Sequence, residues 1–371
     1  MFRLPQYSPP DFSDPRFAQA PLVTFREVRK AGVAPEGYHA TSVFPEYFHV
    51  APGRWEILRE SRMDCVVVQR PDGRLDVVEF RRLQPGDRVA VGRRENAEEG
   101  IFVHAEAFQG MSGTGDKFAF RTRLTRETSF SIDYDEFYDL LVHERNHGTI
   151  VWVLGPAVVF DQDARSAFSS LIRRGYVHAL LAGNALATHD LEGALFGTAL
   201  GQEIYSKRSA PLGHYHHLDA INRLRELGSI EEAMQRGVVT DGVMHAAVTQ
   251  GIPVVLAGSI RDDGPLPGVI ADVYEAQDRM RDQVRRATTV VALATQLHAI
   301  ATGNMAPSYR VLDDGTVRPV YFYSVDMSEF AVQKLANRGS LTARSILTNV
   351  QDFMVTVERG LRRRETNEEI A

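Results

Sequence analysis

The sequence predicts an α/β protein in which a parallel-sheet domain fills the carboxy-terminal half and a smaller β-rich domain precedes it. Three observations carry this reading. The 371 residues exceed the ~100–200 of an ordinary domain. Between Asp64 and His104 short alternating segments are separated by proline and glycine turns. After Gly148 the texture changes to apolar runs, each ending in a small-residue loop and then a helical stretch, the alternation of a parallel sheet with covering helices.

Residues 1–36 are proline-rich and weakly periodic and read as an arm on the body. The β-rich domain, 37–108, contains Cys65–Val68, Leu75–Val78, Arg88–Gly92 and Ile101–His104. Pro71-Asp72-Gly73 and Pro85-Gly86-Asp87 turn the chain between them, because proline fixes φ and glycine permits positive φ. A connecting segment, 109–147, holds Gly110, Gly113 and Gly115, whose spacing is no dinucleotide fingerprint, and a helical pattern from Ile132 to Glu144. The parallel-sheet domain, 148–356, has strands expected at Thr149–Leu154, Val177–Ala182, Ile252–Ala257, Thr289–Leu293 and Val320–Val325. Helices are expected over Asp163–Arg174, His217–Leu227, Ser229–Gly237 and Val269–Arg285. Residues 357–371 read as a charged tail.

With 44% hydrophobic and 24% charged residues the chain is globular. A net charge of -6 argues against a nucleic-acid surface, and no run is long enough and free of charge to span a bilayer. One cysteine, Cys65, excludes an intrachain disulfide, and no apolar leader follows Met1, so the cytoplasm is expected. Lysine occurs only at Lys30, Lys117, Lys207 and Lys334.

Ligands of open parallel sheets bind beyond the carboxyl ends of the strands, so the segments that follow the strands are the candidate site. They are Gly155-Pro156-Ala157, Gly183 through Asp190, and Gly258 through Pro267. Glycine after three strands lets a flat ligand or another backbone approach, a nucleotide-site texture, although each alone is an ordinary turn. Arg261, Asp262 and Asp263 crowd three charges before a Pro-Leu-Pro stop. The arginine suits a pyrophosphate or carboxylate and an aspartate suits an amine, while a turn with a local ion pair is the plainer alternative. His189-Asp190 reads equally as a cap of the next helix. His214-Tyr215-His216-His217 lacks carboxylate or cysteine at ligand offsets, so no metal is expected. His298 reads as a core histidine, and no nucleophile elbow is present.

Leu181-Ala182-Gly183-Asn184-Ala185-Leu186-Ala187, His189-Asp190 and Leu256-Ala257-Gly258-Ser259-Ile260-Arg261-Asp262-Asp263-Gly264-Pro265-Leu266-Pro267 resemble the archaeal-type ornithine cyclodeaminase family. They are also similar to the carboxy-terminal module of the cyanobacterial arginine dihydrolase/ornithine cyclodeaminase, called a lysine-oxoglutarate reductase/saccharopine dehydrogenase-like domain. Gly155–Val159, Ala220-Ile221-Asn222, Leu297–Met305, Lys334-Leu335-Ala336 and Arg338-Gly339-Ser340 support the resemblance, which covers about Glu36 to Met354.

The resemblance implies a Rossmann-like domain of the deoxyhypusine-synthase-like type that binds NAD. It further implies conversion of L-ornithine to L-proline with loss of ammonia through internal hydride transfer. Carried over residue by residue, it implies cofactor contacts at Gly183, Asn184, Ala185, Gly258, Ser259, Ile260, Arg261, Gly303, Asn304 and Met305. Catalytic roles fall on Asp262, Asp263, His189, Asp190 and Lys334. The partners expected are a small amino-acid substrate and further copies of the chain in a homo-oligomer.

Three tracts depart from the family pattern: Phe160-Asp161-Gln162 where His-Thr-Gly is expected, Ser42-Val43-Phe44-Pro45-Glu46, and Asn337. The first two fall where substrate would be expected. The alternatives are a net dehydrogenase of amino or imino acids and a nucleotide-binding sensor or scaffold that has lost catalysis.

Overall fold

The computed structural model describes residues 3–108, 134–328 and 341–370. The amino-terminal region is antiparallel. Strands β1 (Thr24–Glu27), β2 (Glu46–Ala51), β3 (Arg54–Ile57), β4 (Glu60–Ser61), β5 (Val66–Gln69), β6 (Leu75–Val78), β7 (Arg88–Val91) and β8 (Ile101–Val103) follow a single turn of helix, α1 (Pro15–Ala18). They form a four-stranded sheet in the order β1-β7-β5-β6 and a three-stranded sheet in the order β3-β2-β8. Alternation places Val67, Leu75, Val77, Ala90 and Ile101 in one buried cluster. The proline-rich arm lies on the body, as expected, and its residues Thr24–Glu27 add β1 as an edge strand beside β7.

The carboxy-terminal region contains α2 (Tyr134–His147), β9 (Ile150–Leu154), α3 (Gln162–Arg173), β10 (Ala179–Gly183), α4 (Asn184–Phe196), and a short β11 (Thr198–Ala199) and β12 (Gln202–Glu203). Next come α5 (Gly213–Leu227), α6 (Ile230–Gln235), α7 (Val243–Thr249), β13 (Val254–Ala257), α8 (Val273–Val284), β14 (Thr289–Leu293) and α9 (Gln296–Met305). The chain closes with β15 (Tyr309–Val311), β16 (Val317–Pro319), β17 (Tyr321–Asp326), β18 (Thr342–Leu347) and α10 (Val350–Ile370). Six strands form one sheet in the order β13-β10-β9-β14-β17-β18, and every neighbouring pair is parallel. Numbered along the chain this is 3-2-1-4-5-6, the doubly wound Rossmann order, which reverses between β9 and β14. Both faces of the sheet are covered, which explains why β9 and β14 are buried at every residue and read as unbroken apolar runs.

Four local expectations are corrected. Of the segment 183–190, read as a loop, Gly183 ends β10 and the rest starts α4, whose residues Leu186 to Gly193 are all buried. Gly303-Asn304-Met305, expected as a loop after the strand at Thr289–Leu293, is the last turn of α9. The residues read as a charged tail continue α10. Strand β18 was not expected, because as an edge strand it alternates Thr, Arg and Ser with its few apolar residues. The two regions interlock: β15, from within the carboxy-terminal region, pairs with β4 and with β16 in a separate three-stranded sheet.

Candidate active site

The reversal of strand order opens a crevice at the carboxyl edge, bounded by the segments after β9, β10, β13 and β14. Gly155 ends β9 and donates its N–H to Leu293 O (2.8 Å) of the neighbouring β14. A Cβ there would overlap the carbonyl oxygen of Ala294, so this glycine permits the close approach of the two strands at the reversal. Ala294 itself sits at φ 51, a left-handed conformation that non-glycine residues seldom adopt. At Gly183 a Cβ would lie 3.0 Å from Cε1 of His298, and at Gly258 3.0 Å from Ile270 O. The three glycines therefore bring protein segments together around the crevice.

Two helices open into it. Helices α3 and α8 are closed at their amino ends by Asp161 and Asp272, whose carboxylates accept from two N–H groups each. Helices α4 and α9 have no side-chain cap: their N-cap residues are Gly183 and Thr295, and neither side chain satisfies the first turn. Such uncapped starts leave N–H donors and the positive dipole end for an anion. Asn184 is buried and its Oδ1 accepts from Leu266 N–H (3.1 Å) and Thr188 Oγ1 (3.3 Å), which ties α4 to the segment after β13.

That segment arches outward. The Asp262 carboxylate accepts from Ser259 N–H (2.8 Å), and Ser259 Oγ accepts from Arg261 N–H (3.2 Å), closing a tight turn. Ile260 stands fully exposed on it, with Arg261 and Asp263 also exposed. Burial holds the imidazole of His298 below its ordinary value, and the nearby charge of Asp262 offsets part of this. His298 belongs to the crevice wall; its spacing in α9 resembles that of a core residue, which hid it in the sequence.

Other expected residues separate clearly. His189 lies in α4, buried, with the Phe160 ring against it at 5.3 Å and its Nδ1 2.8 Å from Glu192. Asp190 faces away: fully buried, it accepts from Arg165 Nε (2.7 Å), Val243 N–H (2.9 Å) and Met244 N–H (2.7 Å), so it caps α7 and pairs with an internal arginine. Gly303, Asn304 and Met305 form the last turn of a helix whose start faces the crevice, with Met305 packed in the core and Asn304 exposed. Lys334 and Asn337 lie outside the described residues.

The departing tracts prove largely structural. Asp161 caps α3 and pairs with Lys207 (2.9 Å), which also donates to Phe160 O (2.8 Å). Glu46 is fully buried, accepting from Ser42 N–H (2.5 Å), Ser42 Oγ (2.7 Å) and His39 Nε2 (2.8 Å). The tract around it packs on Tyr309 and Leu341, and Val43 O accepts from Ser308 Oγ (2.5 Å). Its charge is therefore internal and is not offered to substrate. Cys65 is buried and its thiol is pushed up to about 11 by desolvation, an inert state.

The model of the family described as arginine dihydrolase ArgZ-like, C-terminal, Rossmann fold matches residues 138–357. The ornithine cyclodeaminase of Methanopyrus kandleri is 38% identical over 335 residues, covering 90% of this chain and 76% of that one. Among solved structures, a conserved LOR/SDH protein of Methanococcus maripaludis superposes with a TM-score of 0.80 at 33% identity, covering 93% of this chain and 99% of that one. The ternary complex of AgrE with ornithine and NAD+ gives 0.58 at 29% identity, covering 94% of this chain and 47% of that one.

Proposed function

This chain belongs to the ArgZ-like, Rossmann-fold family that includes archaeal ornithine cyclodeaminases, and from that premise we propose that it converts L-ornithine, or a related diamino acid, to L-proline, or the corresponding cyclic imino acid, with release of ammonia. The observation that carries the reading is the pair of uncapped helix starts, α4 and α9, on either side of the strand reversal, with a charged turn beside them. These residues fit a dinucleotide without the usual glycine fingerprint. First-turn N–H groups at Asn184 and Ala185 are suited to phosphate oxygens, and exposed Arg261 to a second anionic group. Ser259 and Ile260 lie on the exposed turn where a ring system can rest. When bound, NAD+ supplies an acceptor for the substrate's Cα hydride and returns it, so the reaction is redox-neutral.

The protein's own part is to bind, orient and manage protons. Asp262 and Asp263 are the anions suited to the two ammonium groups of a diamino acid, and Gly258 leaves room beside them. Ring closure needs a neutral δ-amine, and the departing α-amino group needs a proton, so one site must both take and give one. His189, at the Phe160 side, and Lys334 complete the proposed set. Asp190, with both carboxylate oxygens occupied, is left out of it.

The test is stoichiometry. With ornithine and catalytic NAD+, ammonia and proline should appear in equal amounts without accumulation of reduced nicotinamide. Stoichiometric reduction would instead identify a dehydrogenase. Replacing Asp262 and Asp263 together by asparagine should lower turnover by about 100-fold or more while NAD+ binding persists. Unchanged turnover would remove both from the assignment.

A further inference from the structure

His189 and Glu192 stand at i and i+3 on α4 and meet at 2.8 Å between Nδ1 and Oε2. Glu192 is fully buried and accepts three further hydrogen bonds. Its Oε1 accepts from Thr198 Oγ1 (2.8 Å) and Gly201 N–H (3.0 Å), and its Oε2 also accepts from Leu200 N–H (3.1 Å). Burial alone would raise the Glu192 carboxyl, but His189 and the donors from Gly201 and Thr198 hold it below the ordinary carboxylate range. A carboxylate has about four lone-pair positions, and here all are used.

The donors are held in place at a conformational cost. Leu200 adopts φ 54 and Gly201 φ 74, so a non-glycine residue is kept in the left-handed region to present its N–H to Glu192. Gly201 and Gly213 touch backbone to backbone, and a Cβ on either would overlap the other. Thr198 donates its single proton to Glu192, so His216 Nδ1 (2.8 Å) must donate to Thr198. Thr198 Oγ1, Leu200 N–H, Gly201 N–H and His189 Nδ1 all point at one ionised carboxylate, and His216 backs Thr198.

An ionised, saturated carboxylate offers only lone pairs, so Nδ1 of His189 must carry hydrogen. Whenever the ring is neutral its Nε2 is then a bare acceptor, and among the described residues Nε2 has no hydrogen-bond partner. The Phe160 ring packs edge-on against the imidazole, with His217 at 6.2 Å. We propose that Glu192 is a positioning residue that fixes the Nδ1–H tautomer of His189 and thereby presents Nε2 as the proton acceptor for the substrate's amine. The proposal rests on the ornithine-type reaction above. In the step, an ammonium N–H bond of the substrate breaks and an Nε2–H bond forms, leaving a neutral amine and an imidazolium. The proton then returns to the departing ammonia, so His189 ends unchanged.

The charged and titratable groups around the pair are His216 and His217 of α5, the Asp161–Lys207 pair beneath Phe160, and the Arg165–Asp190 pair flanking α4. Among the described residues, Glu192 is the carboxylate in direct contact with the ring. In Glu192→Gln the imidazolium loses its anion, so the acid limb of kcat against pH should move to lower pH. The plateau should fall about 100-fold, and KM and NAD+ binding should change little. A fall in kcat with an unmoved acid limb would reduce Glu192 to a structural role and overturn the proposal.

The tautomer is read independently in the unmodified protein from the 15N resonances of its imidazoles, with His189 assigned by their loss in His189→Gln. An unprotonated Nε2 above neutrality is expected, and an Nε2–H resonance would overturn the proposal even if Glu192→Gln fails to fold. Absence of ornithine turnover with the expected tautomer present would instead count against the proposed reaction.

Discussion

At Gly155 a single hydrogen atom in place of a methyl group decides whether the strand reversal can close. The Ala294 carbonyl occupies the space a Cβ would need. Gly155→Ala should destabilise the fold by about 1–3 kcal/mol through overpacking, read as a lower thermal midpoint, and should weaken NAD+ binding because the wedge falls between β9 and β14. The sequence marked this glycine and left a ligand or another backbone open as its neighbour, since a free Cα hydrogen looks the same whether a cofactor or a second strand approaches it. The converse happened at Glu192. Leu191-Glu192-Gly193-Ala194 reads as ordinary helix, and the carboxylate becomes legible only when Thr198, Leu200 and Gly201 are seen to return to it. Asp190 showed its neighbour's chemistry and none of its own, because Arg165 and the start of α7 come from 25 and 53 residues away.

Among the elements, α8 links the two regions through charge. Arg281 ion-pairs with Glu79 at 2.5 Å, Glu79 also pairs with buried Arg62, and Arg285 Nε donates to Glu60 Oε1 (2.6 Å). Burial pushes the Glu79 carboxyl up, but Arg62 and Arg281 outweigh it and hold the group below its ordinary 4.5. A depressed carboxyl contributes stability above its unfolded value, and the contribution is lost as pH falls through the folded value. The thermal midpoint should therefore fall below about pH 4.5, and Glu79→Gln should flatten that fall. At neutral pH the same substitution should cost about 3–5 kcal/mol by leaving Arg62 and Arg281 short of a partner. The parallel strands were legible because burial on both faces demands unbroken apolar runs. The helix at Asn184 was not, because residues buried on every side lose the 3.6-residue alternation that marks a surface helix.

Over the whole molecule the opposite pH limb arises in the amino-terminal domain. Burial would lower the His39 imidazole, yet its charge and hydrogen-bond interactions with buried Glu46 outweigh this and raise it above the ordinary 6.5. A raised imidazole contributes stability fully below its unfolded value and loses it as pH rises through the folded one. Stability should thus decline on the alkaline side of 6.5 as well, and His39→Gln should lower the midpoint at pH 6 while reducing that decline, a difference that thermal melts from pH 6 to 9 would reveal. Absence of any alkaline change in the unmodified protein would count against a paired imidazolium. The change in texture near Gly148 marks where the parallel sheet begins, with β9 at Ile150. What spacing could not disclose is the exchange of β15 across the boundary, since Tyr309 and Ser61 are joined only in three dimensions.

That exchange sets a clock on synthesis. Ser308 donates to Ser61 O across 247 residues of chain, and Tyr309, fully buried, bonds Leu58 O through its hydroxyl. At ordinary translation speeds the edge at β4 must wait roughly 12–50 seconds after leaving the ribosome for the hairpin that covers it. Until then the nascent amino-terminal region carries an open β edge and an unfilled socket for a tyrosine, so its completion waits on a hairpin made 247 residues later.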